Sequence, residues 1–383
     1  MNTNSSTENQ SDRWVLQICH SHYPPFLDCA RQYAALFNGS EYKILTVYLT
    51  GEPSIEVTQG CASDKVVFLG YKSNQVSGLK LGAIKKIRQL NKGYRFKFCI
   101  AHRVKPTYVA LLATNLPVIS VHHNYNDYSR WSRRLLVNFF KARLLMLGVS
   151  NSVRDDLRQD LAGWNIDNIQ TFYNRIDVTA TQLSMLSKEE ARNNLNLPQQ
   201  AWIIGNVGRL HHDKDQTTLI KGFARALPQL PIDSLLVIMG AGPLEPTLKQ
   251  LVIDLNLTKN IVFTGNIQNA KQYFKAFDLF ALTSNSEPFG MVLLEAMAAE
   301  IPIICSDCGG GAEIIRDVGQ LFAFGSDIEL GENIVEAHQS SKYSIVERMQ
   351  RKLFDSFSDE AARRQFFMFP FVSKTINNTK FTT

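Results

Sequence analysis

Two carboxylates, Glu287 and Glu295, stand eight positions apart in a stretch whose residue types suit the recognition of a hydroxyl-rich molecule. Carboxylates accept hydrogen bonds from hydroxyls, and sugars are dense in hydroxyls. Pro288 follows Glu287, and the apolar residues Val292, Leu293, Ala296 and Met297 recur at the interval of one buried helical face. Proline suits the first turn of a helix, where no N–H partner is needed. The spacing therefore predicts Glu287 at a helix mouth and Glu295 about two turns inside. The backbone N–H groups of Phe289, Gly290 and Met291 would point out of that mouth, where the helix dipole favours an anion or an electron-rich sugar oxygen. Further upstream, Arg209 and Lys214 follow a strand-like run ending at Val207, spaced so that a planar fork and a point charge could converge on a phosphate. Gly208 beside them lets the backbone come close. Taken singly, either cation reads equally as a surface ion pair.

The segment E-P-F-G-x-x-x-x-E-A-M-A resembles the E-x7-E motif of retaining glycosyltransferases of family 4, which have the GT-B fold. Four further segments resemble motifs of that family in the same order: Asn206-Val207-Gly208-Arg209-Leu210 with Lys214, Phe263-Thr264-Gly265-Asn266-Ile267, Phe277-Asp278-Leu279-Phe280 through Ser284, and Ile301-Pro302-Ile303-Ile304 with Gly309-Gly310-Gly311-Ala312-Glu313. The resemblance implies that Gly208, Arg209 and Lys214 hold the diphosphate of a nucleotide-sugar donor. It gives the ribose hydroxyls to Glu295, the hydroxyls of the donor sugar to Glu287 and the base to Ile267. A leaving nucleoside diphosphate gains negative charge, so Arg209 and Lys214 would stabilise the transition state more than the ground state. The family also places a histidine at a strand end beside the transferred sugar. His122, which closes the run Pro117–Val121, matches that position, with His123 and His102-Arg103 as lesser candidates. One departure stands out: the family's first strand runs into a glycine-containing loop over the donor phosphates, whereas His20-Ser21-His22-Tyr23-Pro24-Pro25-Phe26-Leu27-Asp28 has no glycine.

The elements that must position these residues follow from the pattern of the chain. Short apolar runs alternate with helix-like stretches in both halves, from Trp14–Cys19 to Leu145–Val149 and from Trp202–Val207 to Ile301–Cys305, which predicts parallel sheets covered by helices. Ser187-Lys188-Glu189-Glu190 is a capping box opening the first helix of the second half. The expected fold class is α/β, GT-B: two doubly wound Rossmann-like domains facing a cleft, 13–178 for the acceptor and 179–365 for the nucleotide sugar. A junction near Asn174-Arg175-Ile176-Asp177 and a tail over 366–383 returning to the first domain complete the expectation, and residues 1–12 read as a disordered tail with no signal peptide.

Composition agrees with two folded domains. The 383 residues are 45% hydrophobic and 20% charged, and no apolar run approaches the ~18 residues of a membrane span. Six cysteines in apolar segments read as buried thiols of a reducing cytoplasm. The Cys305-Ser306-Asp307-Cys308 pair has no second Cys or His pair to complete a metal site and reads as a strand end. Charge is uneven: residues 1–160 carry 21 Lys/Arg against 11 Asp/Glu, the remainder 20 against 24. One basic cluster, Arg130 to Arg143, interleaves with Trp131, Leu135 and Phe139, and suits either an anionic membrane surface and a phosphorylated acceptor or a core-packed helix with a solvated edge. No nucleic-acid-binding module accompanies this charge.

The expected activity is thus retaining transfer of a hexose from a nucleotide diphosphate sugar, UDP-sugar favoured, to a saccharide or glycolipid acceptor in lipopolysaccharide core or other envelope glycan synthesis, with no metal and no cofactor. The expected place is the cytoplasm, peripheral on the inner face of the cell membrane. A non-catalytic sugar-nucleotide-binding subunit and a GT-B epimerase are the alternatives; acidic residues are sparse in the first half, which counts against the epimerase.

Overall fold

The computed structural model describes residues 13–23, 26–340 and 343–377. The tail expected over 1–12 and residues 378–383 lie outside them. The chain forms two compact units, one of residues 1–174 with 359–383 and one of residues 175–358.

The first unit is built on a seven-stranded parallel sheet in the order β3-β2-β1-β4-β5-β6-β7. Its strands are β1 Arg13–Cys19, β2 Tyr42–Thr50, β3 Lys65–Tyr71, β4 Phe96–His102, β5 Val118–His122, β6 Leu144–Gly148 and β7 Ile169–Thr171. β5 and β6 are buried along their whole length, as a central parallel strand covered by helices on both faces must be. The second unit repeats the plan with six parallel strands in the order β10-β9-β8-β11-β12-β13. These are β8 Ile203–Val207, β9 Leu235–Met239, β10 Ile261–Gly265, β11 Leu279–Leu282, β12 Ile303–Ser306 and β13 Gln320–Phe322. Ile204, Ile238, Leu219, Phe223 and Leu330 are part of its buried core.

Both sheets are doubly wound, and in each the strand order reverses beside its first strand. Ligands of open α/β sheets bind outside the carboxyl ends at that switch point, here between β1 and β4 and between β8 and β11.

The unit boundaries fall at 174/175 and 358/359 rather than at the expected 178/179 and 365/366. In the second unit, a parallel bridge pairs Ile176 with Ser358, and Ile176 N donates to Phe357 O at 3.1 Å. The helix Asp359–Met368 belongs to the first unit, where Phe366 packs against Phe37 and Phe172 and Asp359 pairs with Arg31 at 3.1 Å. The segment Ala270–Ala276 between β10 and β11 is a 3₁₀ helix. The helix expected from Phe289 starts at Met291.

The capping box forms as expected, with Ser187 and Glu190 reciprocally bonded. It opens a helix, Lys188–Asn194, that Asp278 ties to the start of the second sheet. Asp278 accepts from Lys188 Nζ at 2.7 Å, from the fully buried Arg192 Nη2 at 2.8 Å and from Ile203 N at 2.9 Å. Burial alone would raise the Asp278 carboxyl, but the Lys188 and Ile203 hydrogen bonds and the Lys188 and Arg192 charges hold it below its ordinary value of 3.8. A depressed carboxyl contributes stability above its unfolded pKa and loses it as pH falls through the folded value. Asp278→Asn, which leaves the Arg192 charge buried and uncompensated, should cost about 3 kcal/mol at neutral pH in denaturant unfolding, and that deficit should shrink below about pH 4.

Candidate active site

The carboxyl edge of the second sheet gathers most of the residues singled out by sequence. β8 ends at Val207, and the loop after it passes so close to the β9 turn that a Cβ on Gly240, at φ +144°, would lie 1.9 Å from Gly208 O. Leu210 N donates to Ala241 O at 3.1 Å and locks the two turns together. A one-turn 3₁₀ helix, His212–Lys214, then brings Lys214 back toward the sheet. Lys214 O accepts from Thr283 Oγ1 at 2.8 Å, so the lysine backbone is anchored to the end of β11.

From that anchor Lys214 Nζ reaches Glu287 Oε2 at 2.6 Å. Ser284 Oγ donates to the same oxygen at 3.2 Å. Both side chains of the ion pair are largely buried, 19% and 12% exposed, which holds opposite charges together at a strand-end loop where water is scarce. The loop around Glu287 is itself pinned: Gly310 N donates to Glu287 O at 2.8 Å, Cys308 Sγ to Ser284 O at 2.8 Å, and Asn285 N to Asp213 O at 3.1 Å. Gly310 can be nothing larger, since a Cβ there would meet Pro288 O at 2.3 Å.

The rest of the expected helix mouth is arranged differently. Gly290 takes φ +99° as the residue before the helix Met291–Ala298, so Pro288 and Phe289 belong to the preceding turn and not to the helix. Phe289 is buried against Phe357. Glu295 stands just over a turn inside the helix rather than about two. Ile267 lies two residues past the end of β10, half-buried. Arg209 is 71% exposed and paired to Asp213 at 3.3 Å, while His211 Nδ1 lies 2.6 Å from the other Asp213 oxygen. Burial would raise the Asp213 carboxyl, but the His211 hydrogen bond and the Lys214, His211 and Arg209 charges lower it. Sequence reading missed Asp213 and Ser284 as site residues; the D at 213 sits between the matched R and K, and S284 within the matched strand motif, which was the available signal. The C-x-x-C thiols are used locally, with burial raising the pKa of both.

Residues 187–350, almost the whole second unit, match the family described as glycosyl transferases group 1. The second unit carries a group 1 glycosyltransferase domain. The chain is 26% identical over 72% of its length, and 72% of the relative's, to the N-acetylgalactosamine-N,N'-diacetylbacillosaminyl-diphospho-undecaprenol 4-alpha-N-acetylgalactosaminyltransferase of Campylobacter jejuni. Its fold is that of a glycosyltransferase from Rickettsia africae, with a TM-score of 0.83 at 17% identity over 96% of this chain and 100% of that one. It is also that of Anabaena Alr3699/HepE, solved in complex with UDP and glucose, with a TM-score of 0.74 at 20% identity over 95% and 99%. The two doubly wound sheets are the GT-B architecture, and relatives of the transferase act in envelope glycan synthesis.

In the transferase's first unit, the switch point is rich in histidines. His20 follows β1, in the loop where the family pattern has glycine, His102 ends β4, His122 ends β5 and His123 follows it. His102 Nδ1 lies 3.3 Å from His123 Nε2, its Nε2 lies 3.3 Å from Gln17 Oε1, and His123 Nδ1 lies 3.8 Å from Cys29 Sγ. His122 is fully buried, with Nδ1 2.7 Å from Asp127 Oδ2 and Nε2 2.8 Å from Ser120 Oγ. A sugar contact from its ring therefore requires one of those partners to be given up. His22 Nε2 lies 3.0 Å from Glu52 O in the glycine-free loop.

Burial, then the charges of Lys105 and Arg103, lowers His20 to about 4; burial, then His122, lowers His102 to about 3; burial, then His102 and Arg103, lowers His123. A histidine lowered on folding stabilises the fold fully above its unfolded pKa near 6.5, and that stability is lost as pH falls toward the folded value. Each such histidine should cost about 1.4 kcal/mol per pH unit below that point. Unfolding free energy should therefore drop steeply between about pH 6.5 and pH 4, and His102→Gln should flatten the slope by one histidine's share; an unaltered slope would contradict the assignment.

Proposed function

We propose that the transferase moves a hexose, with retention, from a nucleotide diphosphate sugar to a hydroxyl of a saccharide or glycolipid acceptor of the cell envelope. The observation that carries this reading is the Lys214–Glu287 contact of 2.6 Å at the switch point of the second sheet. A buried lysine-carboxylate pair is a poor source of stability, because desolvation offsets most of its attraction. A diphosphate sugar uses both partners at once, phosphate oxygens on the ammonium and sugar hydroxyls on the carboxylate. Arg209, held by Asp213, adds a second cation for the diphosphate. Glu295 takes the ribose hydroxyls and Ile267 the base. The close approach of Gly208 and Gly240 leaves the backbone bare beside the same edge. The loop Phe289-Gly290-Met291 offers N–H groups near the sugar.

The chemistry follows from these parts. The acceptor hydroxyl attacks the anomeric carbon from the face that the diphosphate leaves, the anomeric C–O bond breaks with its electron pair going to the phosphate, and the hydroxyl proton passes to a phosphate oxygen. Negative charge grows on the diphosphate as this proceeds, and Lys214 and Arg209 stabilise it. Their two charges supply what a divalent cation otherwise would, so we read the reaction as metal- and cofactor-independent. His122, oriented by Asp127, would contact the donor sugar. UDP-sugar is the favoured donor class, in keeping with the Anabaena protein solved with UDP and glucose. The lipid-linked acceptor named for the Campylobacter relative favours a glycolipid acceptor, met by a cytoplasmic enzyme peripheral on the inner face of the membrane.

Lys214→Ala should weaken nucleoside diphosphate binding roughly 30-fold, the worth of one charge-assisted contact of about 2 kcal/mol, and Glu295→Ala should weaken it similarly. His122→Ala should lower turnover with donor affinity largely kept. Calorimetry beside initial rates measures both, with chelator expected to leave the rate unchanged. Donor binding without turnover on any acceptor extract would favour the non-catalytic subunit, for which the glycine-free loop is the support.

A further inference from the structure

The helix Trp131–Phe139 of the first unit has one fully buried residue, Val137. Trp131, Leu135 and Phe139 are 71%, 63% and 81% exposed. At 100° per residue they fall on one stripe, on the side of the helix opposite Val137. Amphipathic helices of globular domains turn their apolar stripe to the core. This one turns an aromatic-aliphatic stripe outward, and that orientation could not be read from the sequence, where the same residues fit a core-packed helix equally.

The stripe does not stand alone. Leu79 and Leu81, both exposed, flank Lys80 at the start of the helix Leu81–Gly93. Lys80 Nζ sits 4.2 Å from the Tyr108 ring centroid. Burial, then the charges of Lys105 and Arg133, lowers the Lys80 pKa, and Arg133 belongs to the helix Trp131–Phe139. At the other end of that helix Phe140 lines a groove of about 620 Å³ with Arg88, Leu112 and Leu116. Residues 65–154, which supply all these elements, contain 17 Lys/Arg and a single acid, Asp127. That acid is turned inward onto His122. Exposed apolar side chains set among many cations and few acids match a bilayer interface, where aromatic rings sit at headgroup depth and basic residues meet anionic lipid. A protein partner would need an acidic, shape-matched surface. No helix among the described residues is long and apolar enough to cross a membrane, so contact of this kind would be from the surface.

We propose that Trp131, Leu135 and Phe139, with Leu79 and Leu81 and the surrounding arginines and lysines, form a docking face that seats the first unit on an anionic lipid bilayer. The inference rests on the glycolipid-acceptor reading only in giving that face a purpose. Vesicle binding is measured with no sugar donor present, so either can fail without the other: binding without transfer overturns the function and keeps the face, and transfer without binding does the reverse.

The full chain is sedimented with vesicles of phosphatidylcholine alone and of equimolar phosphatidylcholine and phosphatidylglycerol, at low and high salt. Binding is expected to the anionic vesicles and to weaken with salt. Combined Trp131→Ala, Leu135→Ala and Phe139→Ala should reduce partitioning more than about tenfold, as should Arg130→Glu with Arg134→Glu, both with unchanged circular dichroism and unfolding midpoint because the side chains are on the surface. Lipids carrying a quencher in the acyl chain should quench the wild-type fluorescence and not that of Trp131→Phe. Equal binding to neutral and anionic vesicles, or anionic binding indifferent to the apolar triple substitution, overturns the proposal. So does a dimer in sedimentation velocity that the triple substitution abolishes while vesicle binding persists, since the stripe would then belong to a second copy of the chain.

Discussion

The ion pair between Lys214 and Glu287 is the constraint on which the second unit's chemistry turns. Two charges largely out of water must be held in register, and three separate strand ends contribute to holding them. Lys214 comes from the loop after β8, its carbonyl fixed by Thr283 at the end of β11. Glu287 comes from the loop after β11, fixed by Ser284 beside it and by Gly310 from beyond β12. These are the strands around the point where the sheet order reverses, the one place where loops diverge and leave room for a ligand. The small residues Gly240 and Gly310 follow from the same constraint, because the backbones that carry the pair pass too close there for side chains.

The first unit solves the same topological problem with different residues. Its switch point is filled with imidazoles held neutral by burial, and with Asp127 turned inward onto His122. The rest of the surrounding segment is rich in positive charge, and its apolar stripe faces outward. A unit with a neutral, histidine-lined centre and a cationic, aromatic face is suited to an acceptor presented at an interface. The second unit, with its cations gathered at the sheet edge, is suited to a diphosphate.

Much of this was legible in the sequence because motifs record strand ends. The βα alternation placed both sheets, and the motifs that resemble the family's named Lys214 and Glu287, the residues that meet between β8 and β11. What escaped had physical reasons. β7 and β13 are three residues long, too short for any periodicity, and form the sheets' last strands. The start of the helix at Met291 depends on the left-handed turn at Gly290, which proline at 288 masked by supplying its own helix-start signal. The helix Asp359–Met368 joins the first unit through Phe366, a contact across some three hundred positions of chain that no local pattern reports. The pairing of Lys214 with Glu287, and of Arg209 with Asp213, required side-chain geometry. So did the exposure of Trp131, since a stripe reads the same whether it faces core or solvent.

The account's central claim is a division of labour in which Lys214 holds the diphosphate and Glu287 the sugar. Calorimetric affinities of Glu287→Gln for a nucleoside diphosphate, chosen from UDP, GDP and ADP by thermal shift, and for the corresponding nucleotide sugar test it most directly. The account predicts that the substitution leaves the bare diphosphate bound as in the wild type, or more tightly as Lys214 is released, while the added affinity contributed by the sugar disappears. Loss of diphosphate binding with the sugar's increment intact would contradict it.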